Sequence, residues 1–244
     1  MSADADLTKE LGLLSGSAET PGMLIAFEAL DGTPRQGILE GVREKLLPSD
    51  AIIHKFPQKD TAIGQVIQNY LKCKKTYSAQ AAHLLFASQR WEWCGMIEGK
   101  LRSGSHVLLN RYSLSGVVYS LARMGEGFRE FCKQTEAFLP RPDLTIYLRL
   151  KPEEVMKMHG KGRARNRALP NLLRVDSLYQ EFIRNDKTGF QIECGELSDK
   201  EIVEQCFSLI QETVPMPKPR NLRPDYDINV VCTGPGHDLW GMPY

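Results

Sequence analysis

A strand-loop-helix unit near the start of the chain places the strongest constraint on its fold. The apolar run 24–27 ends at Glu28, a Gly-containing turn follows, and residues 38–47 resume with helical spacing. In such a unit, the N-terminus of the helix and the amides of the loop point to the space beyond the end of the strand. Phosphate-binding loops bind their anion in this way. An ordinary strand-to-helix turn without a ligand fits the same pattern, so both interpretations stay open from this stretch alone.

The loop departs from the phosphate-loop pattern G-x-x-x-x-G-K-[ST] at every position that the pattern specifies. Ala29 and Pro34 stand where the pattern has glycines. Arg35 stands for the Lys, and Gln36 for the Ser or Thr. Pro34 has no N–H to donate to a phosphate, and Arg35 carries its charge on a wider, planar head. Gln36 has no hydroxyl for a magnesium ion, whereas Asp31, inside the loop, supplies an acidic group.

Composition predicts an intracellular globular protein. At 244 residues, the chain fits one large α/β domain. Its 31 Lys and Arg balance 30 Asp and Glu, so no global charge favours nucleic acid or an anionic membrane as a partner. Six cysteines without C-x-x-C spacing favour reduced thiols, and no run reaches the roughly 18 apolar residues of a membrane span. We expect a soluble cytoplasmic protein in which residues 1–21 form a flexible leader without a targeting segment.

Strands and helices are predicted to alternate through the rest of the chain. Short apolar runs predict four further strands, at 51–56, 106–109, 144–150 and 189–194. Helical spacing predicts helices at 61–73, 79–102, 175–184 and 199–213. Hydroxyl residues mark the starts of three of these helices, at Thr61, Ser78 and Ser198. This alternation is typical of a parallel sheet with right-handed crossovers. From residue 214 the chain becomes Pro-rich, and the tail 214–244 is either a disordered extension or a strap packed on the domain.

Side chains that follow the predicted strands are candidates for a ligand site, because the carboxyl ends of parallel strands face one crevice. Phe56 and Lys59 lie on either side of Pro57 after the second strand, where a simple strand end is the alternative interpretation. Asn110 and Arg111 end the third strand. Arg111 is suited to hold a phosphate bidentately, whereas Asn110 brings no negative charge to support a magnesium ion.

The helix predicted at 79–102 carries Phe86 and Arg90 four residues apart, hence on one face. A flat ring beside a forked donor suits a planar heterocycle, which would stack on the ring and accept hydrogen bonds from the guanidinium. A core aromatic residue beside a solvated Arg would give the same spacing.

The segment 157–174 is strongly basic, with six Lys or Arg and no Asp or Glu. Gly160 and Gly162 are candidate hinges within it. A charge run of this kind often forms a solvated face. It is also what a phosphoryl-transfer lid requires, because guanidinium groups can close on the transferring group and exclude water.

Residues 23–213 resemble the thymidylate kinase family, most specifically in four sequence blocks in the middle of that range. They are Phe-Pro at 56–57 with Thr61, His-Leu-Leu-Phe at 83–86 with Arg-Trp-Glu at 90–92, Arg-Tyr at 111–112 with Ser-Gly at 115–116, and Leu-Pro at 139–140 with Pro-Asp-Leu at 142–144. The resemblance implies a P-loop NTPase-like, three-layer α/β/α fold over 22–213, with a five-stranded parallel sheet, flanking helices and a basic lid. It also implies the reaction ATP + dTMP to ADP + dTDP, with ATP and Mg²⁺ as cofactors, dTMP as ligand and a homodimer as the assembly.

The resemblance assigns roles to matching residues. Phe86 would stack on thymine and Arg90 would reach its carbonyl, while Tyr119 would close the sugar and base pocket. Arg111 would hold the acceptor phosphate together with Lys59, which stands where Arg is usual. The implied substrate-binding residues are Phe56, Lys59, Phe86, Arg90, Asn110, Arg111, Ser115, Gly116 and Tyr119. The implied catalytic residues are Asp31, Arg35, Arg111, Arg163 and Arg165, and the implied contacts to the donor nucleotide are Gly32, Thr33, Arg35, Gln36 and Gly37, with no protein ligand to a metal.

Three hypotheses follow from this sequence. The leading one is a protein that keeps the fold and a dTMP-shaped pocket, with phosphoryl transfer reduced or lost because the donor loop lacks its glycines, Lys and hydroxyl. The second is an active dTMP kinase in which Arg35 and the arginines of 157–174 replace the missing groups. The third is a non-catalytic interaction module that uses this fold to bind an unidentified protein partner.

Overall fold

A parallel sheet of five strands organises the fold. The structure, a computed structural model, describes residues 21–159 and 168–213. The strands are β1 (Leu24–Glu28), β2 (Ala51–Lys55), β3 (His106–Asn110), β4 (Leu144–Arg149) and β5 (Gly189–Glu193). Their order across the sheet is β2-β3-β1-β4-β5, and every neighbouring pair is parallel. The predicted five-stranded parallel sheet is therefore confirmed.

Helices connect the strands and cover the sheet. They are α1 (Gln36–Lys45), α2 (Ala62–Leu71), α3 (Ala79–Glu92), α4 (Cys94–Arg102), α5 (Ser113–Met124), α6 (Arg129–Gln134), α7 (Pro152–His159), α8 (Leu169–Arg184) and α9 (Asp199–Glu212). Three of them begin at the hydroxyl caps that the sequence indicates, since Thr61, Ser78 and Ser198 each accept a backbone N–H of the first turn. No helix in the described ranges is both long and apolar enough to cross a membrane.

The segment predicted as one helix at 79–102 forms two helices, α3 and α4, that meet at Trp93. The prediction of a continuous helix was therefore wrong at this residue. The Trp93 N–H donates to the carbonyl of Trp91 instead of a carbonyl four residues back. At this break the Trp93 ring packs on His54 of β2, with 4.3 Å between ring centroids. The tertiary contact with β2 therefore ends α3, and local helical spacing gives no sign of it.

Apolar side chains of β1 alternate between two cores. Ile25 and Phe27 join a cluster with residues of α1 and α9, whereas Leu24 and Ala26 join a second cluster with residues of α4. Successive side chains of a strand point to opposite faces, so β1 is covered on both sides. A third cluster packs α5 and α8 beside β4 through Val118, Tyr179 and Tyr147, among others. The layered arrangement brings the carboxyl ends of β1, β2 and β3 together at one open edge.

Three predicted segments lie outside the described residues: residues 1–20 of the leader, the part of the basic segment at 160–167, and the tail at 214–244. The catalytic assignments of Arg163 and Arg165 belong to the second of these segments and stay predictions. The same holds for the proposed division of the chain into leader, domain and tail.

The Leu-Pro-Arg-Pro-Asp stretch is anchored to β1 through a buried carboxylate. Asp143 is 1% exposed, and its Oδ2 accepts the N–H of Leu24 at 2.7 Å. Asp143→Ala leaves that buried N–H without an acceptor, so we expect the free energy of unfolding to fall by about 1–3 kcal/mol. The urea midpoint of unfolding measures this change, and Asp143→Asn should restore part of it. Arg141→Ala, which removes only an exposed ion pair to Asp186, should cost less than about 1 kcal/mol. Equal losses in the Asp143→Ala and Arg141→Ala variants would contradict the anchoring role.

Candidate functional site

A cavity opens at the carboxyl edge of the sheet, bounded by α2, α3 and α5. The sequence-predicted residues that line it are Asp31, Phe56, Phe86, Arg90, Arg111, Ser115, Gly116 and Tyr119. Lys59 and Asn110, also predicted to bind substrate, are not part of its wall. Lys59 is exposed, and Asn110 is buried at the end of β3. The cavity wall thus brings together the segment after β2, the loop after β1, and residues of α3 and α5.

Arg111 lies at the sheet end of this cavity, in a fixed orientation. Its backbone has a φ of 69°, in the left-handed region, and its N–H donates to the carbonyl of Phe27 at 2.9 Å. Its guanidinium donates to Ser115 Oγ at 3.3 Å and to Tyr119 Oη at 3.4 Å, and lies 3.8 Å from Asp31 Oδ1. Left-handed backbone is uncommon outside glycine and is typical of residues held in place for function. Arg111 is therefore positioned to bind an anion.

Glu28, the last residue of β1, holds the turn that carries Arg111 and Ser115. Its carboxylate is fully buried; Oε1 accepts the N–H groups of Tyr112 at 3.0 Å and Ser115 at 3.2 Å, and Oε2 accepts the Tyr179 hydroxyl at 3.1 Å. The Ser115 hydroxyl donates to Oε2 as well. An anion at a helix N-terminus satisfies N–H groups that have no partner inside the helix. This role could not be predicted from the sequence, because an acidic residue ending an apolar run gives no sign that it will cap a helix far along the chain.

A buried ion pair supports the part of the cavity wall that α3 forms. Arg90 Nε donates to Glu136 Oε2 at 2.8 Å, its Nη2 also contacts Glu136, and the two side chains are 3% and 5% exposed. A Cβ atom placed on Gly116 would lie 2.3 Å from Arg90 Nη2, so only glycine leaves room for this guanidinium. The guanidinium lines the cavity while Glu136 fixes its plane, and Glu136 is a partner that sequence reasoning missed. Phe86 forms the adjacent wall, edge-on to Tyr70 at 6.3 Å.

His83 supplies a neutral imidazole to the same wall. Its Nε2 lies 2.6 Å from Thr135 Oγ1, and its Nδ1 lies 2.8 Å from Ser120 Oγ. Because the Thr135 hydroxyl donates to the carbonyl of Cys132, Thr135 Oγ1 accepts from His83, which places the ring proton on Nε2. Burial lowers the pKa of His83, so the ring stays uncharged at neutral pH. His83 and Ser120 line the cavity and were not predicted as site residues.

Arg35 closes the loop after β1 with its own side chain. Its Nε donates to Asn110 Oδ1 at 2.9 Å, and its Nη1 donates to the carbonyls of Leu30 at 3.2 Å and Thr33 at 3.1 Å. Burial, and then the charge of Arg111, lower the pKa of Arg35 to about 10, which leaves it cationic at neutral pH. The guanidinium therefore bridges β1's loop to the end of β3 without any ligand.

The loop residues fit poorly to a triphosphate with its magnesium ion. Pro34 has no N–H, and the amide of Gln36 donates to Glu40 on its own helix at 2.8 Å. The buried hydroxyl of Thr33 has no hydrogen-bond partner among the described residues. In that same part of the chain, no group of three or more His, Cys, Asp or Glu side chains has the arrangement of a metal site. Gly32 turns the loop with a φ of 105°, and Gly37 lies in the first turn of α1.

Comparison with known proteins decides the family. The family model for thymidylate kinase matches residues 27–206. A thymidylate kinase from Dictyostelium discoideum is 33% identical over 171 residues, which are 68% of this chain and 75% of that protein. The chain belongs to the thymidylate kinase family. A solved structure of thymidylate kinase from Candida albicans superposes with a TM-score of 0.69 at 29% identity, over 78% of this chain and 92% of that one.

Membership in the thymidylate kinase family confirms the P-loop NTPase-like fold expected from the sequence. Thymidylate kinases generally use ATP and Mg²⁺, and their acceptor nucleotide is dTMP. The roles assigned to individual residues by the resemblance stay predictions. Seven of the nine residues expected at the acceptor nucleotide line one cavity. Those expected at the donor nucleotide lie in the loop that Arg35 closes and in the first turn of α1.

The hydrogen bonds of Glu28 can be tested through the stability of the protein. In Glu28→Gln, the buried charge that accepts from Tyr112, Ser115 and Tyr179 is lost, so we expect the free energy of unfolding to fall by about 1.5–3 kcal/mol. Tyr179→Phe removes one donor and should cost about 1 kcal/mol. Chemical denaturation measures both, and the exposed Glu40→Gln is the matched control, expected within about 0.5 kcal/mol of the parent. A Glu28→Gln variant as stable as this control would rule out the capping role.

Proposed function

We propose that this thymidylate kinase family member binds dTMP in the cavity beside Phe86 and Arg111 and transfers phosphate to it slowly or not at all. The observation that carries the proposal is the hydrogen bonding of Arg35 to Asn110, Leu30 and Thr33. In this position, the Arg35 side chain donates hydrogen bonds to carbonyl groups of its own loop. The acceptor side of the cleft, by contrast, presents its polar groups to an open cavity.

The chemistry of the cavity supports dTMP as its ligand. Arg111 offers a rigid guanidinium to a phosphate, because Ser115 and Tyr119 fix its plane. Phe86 offers a ring for a base to stack on, and Arg90 offers donors to base carbonyls. A guanidinium suited to a phosphate and a ring suited to a base in one cavity match a nucleoside monophosphate.

The expected loss of phosphoryl transfer follows from the donor loop. Removing one preorganised donor to the charge of a transition state typically lowers the rate by about 10² to 10³. Pro34 removes a backbone N–H, Gln36 brings no hydroxyl, and Asn110 brings no negative charge near the metal. These losses do not add independently, but one or two of them are enough for slow catalysis.

Ligand binding tests the proposal through thermal stability. We expect dTMP to raise the melting temperature of the full chain and ATP with Mg²⁺ to leave it unchanged, because a ligand stabilises only the state that binds it. At a hundredfold its Kd, a ligand adds about 2.7 kcal/mol to the free energy of unfolding. Stabilisation by ATP and Mg²⁺ together with turnover of roughly 1–100 per second would favour an active kinase instead. If neither nucleotide stabilises the chain, the interaction-module hypothesis gains support.

Restoring the loop gives a gain-of-function test. We expect Pro34→Gly, Arg35→Lys, Gln36→Ser and Asn110→Asp, combined in one variant, to raise dTMP kinase turnover at least about a hundredfold, because an amide, a compact cation, a hydroxyl and an acid return together. A coupled assay for ADP measures the rate. The matched control carries Gln58→Glu alone, which adds an acid without altering the loop. Turnover that stays at the parent's level in the restored, folded variant would show that the loop is not what limits catalysis.

A further inference from the structure

Two adjacent residues between α6 and β4 hold two polar side chains of the cavity wall. Thr135 Oγ1 lies 2.6 Å from His83 Nε2, and Glu136 accepts the Nε–H of Arg90 at 2.8 Å. The indole N–H of Trp91 donates to the carbonyl of Thr135 at 3.0 Å, which ties this segment to α3. His83 and Arg90 line the cavity, whereas Thr135 and Glu136 are not part of its lining. The polar groups that the cavity presents therefore depend on residues outside it.

The hydrogen bonds that lead from the Cys132 carbonyl to Ser120 all run in one direction. A carbonyl can only accept, so the Thr135 hydroxyl donates to Cys132 at 3.0 Å. Thr135 Oγ1 then accepts from His83 Nε2, which leaves Nδ1 of the uncharged ring without a proton. Nδ1 accepts the hydroxyl proton of Ser120 at 2.8 Å. Since a serine has a single hydroxyl proton, Ser120 Oγ offers only its lone pairs to a ligand.

This acceptor lies on the same face of α5 as the donor group of Arg90. A Cβ atom placed on Gly116 would lie 2.3 Å from Arg90 Nη2, so the guanidinium rests against Gly116. Ser120 follows Gly116 by four residues on α5, about one helical turn, and lines the same cavity. Phe86 belongs to this cavity as well. The cavity thus offers a donor, an acceptor and a ring to one planar ligand.

Pyrimidine bases differ in the hydrogen-bonding pattern of the edge that such a pair would contact. Thymine and uracil present a carbonyl oxygen beside the N3–H group, that is, an acceptor beside a donor. Cytosine presents an amino group beside an unprotonated N3, which is the reverse order. A site built to accept a hydrogen bond strongly rejects an analogue that lacks the donor, because its buried acceptor is then left unpaired.

We propose that Ser120 is a specificity-determining residue whose oxygen accepts the N3–H of a 2,4-dioxopyrimidine, and that His83 is the positioning residue that keeps the Ser120 proton turned away from the ligand. This inference rests on the proposed function, since it needs the base of dTMP beside Phe86 and Arg90. It deepens that function by assigning the rejection of cytosine nucleotides to a hydrogen-bond direction that is set outside the cavity, at Thr135.

Calorimetric titration of the full chain with dTMP and with 5-methyl-2′-deoxycytidine 5′-monophosphate tests this inference, because these two nucleotides differ only at the N3 and C4 positions of the base. We expect the Kd of dTMP to be at least about a hundredfold lower. This preference should fall at least about tenfold in Ser120→Ala, which removes the acceptor. It should fall as far in His83→Phe, which frees the Ser120 hydroxyl to donate to the N3 of cytosine.

Two further variants separate this role from a loss of packing. His83→Asn keeps a side-chain oxygen that can accept from Ser120, so we expect the preference to stay within about threefold of the parent's. Ser88→Ala, at an exposed position on the same helix as His83, is the matched control and should leave the preference unchanged. Arg90, which also contacts the base in the proposed complex, is the same in all four variants. A change in the preference therefore reports on Ser120.

The outcomes distinguish this inference from the proposed function. Equal affinities for the two nucleotides in the parent overturn the inference alone, as does a preference that both Ser120→Ala and His83→Phe retain. Nitrogen-15 NMR of the free parent gives a test that needs no variant: the His83 ring proton should be on Nε2, and a proton on Nδ1 would overturn the inference. If dTMP does not bind the parent, the proposed function fails and this inference fails with it.

Discussion

The buried carboxylate of Glu28 is the interaction on which the site depends. It ends β1, caps α5 through two backbone N–H groups, and accepts the hydroxyl of Tyr179 from α8. Three elements that lie far apart in the sequence are thereby fixed at one point of the sheet edge. Because Arg111 and Ser115 lie in the segment that this carboxylate holds, the orientation of the Arg111 guanidinium follows from it. A charge without access to water is tolerated here only because each oxygen is hydrogen-bonded.

The cavity and the loop after β1 differ in the hydrogen bonds that their arginines make. Around the cavity, Arg90 and Arg111 are held in plane by Glu136 and by the hydroxyls of Ser115 and Tyr119, and both residues line the cavity. In the loop after β1, Arg35 spends three of its donors on Asn110 and on loop carbonyls. The donors of the cavity are already oriented for a ligand. The loop, in contrast, would have to break the hydrogen bonds of Arg35 before it could bind a triphosphate. This contrast is the physical basis for expecting dTMP binding with little transfer.

Much of the fold could be predicted from the sequence, because the relevant signals are local. Short apolar runs marked the strands, and Thr61, Ser78 and Ser198 marked three helix starts. The break at Trp93 could not be predicted, since it follows from packing against His54 on another strand. The same distinction holds for the site: the family motifs identified eight of the residues around the cavity, but not His83 and Ser120 or the hydrogen-bond partners.

Glu136 and the bonding of Arg35 show where sequence reasoning ends. Glu136 is 46 residues from Arg90, and Asn110 is 75 residues from Arg35. Nothing in the local pattern indicates that either pair will meet. The substitution of Lys by Arg in the loop was visible from the sequence as a change of shape at constant charge. Only the position of Asn110 at the end of β3 shows that the wider head reaches across to the next strand.

A structure determined from crystals grown with dTMP, a non-hydrolysable ATP analogue and Mg²⁺ tests the central claim most directly. We expect dTMP between Phe86 and Arg111, with Arg35 still bonded to Asn110 and no triphosphate in the loop at residues 29–37. A triphosphate and its ion bound against that loop, with Arg35 displaced from Asn110, would contradict the claim.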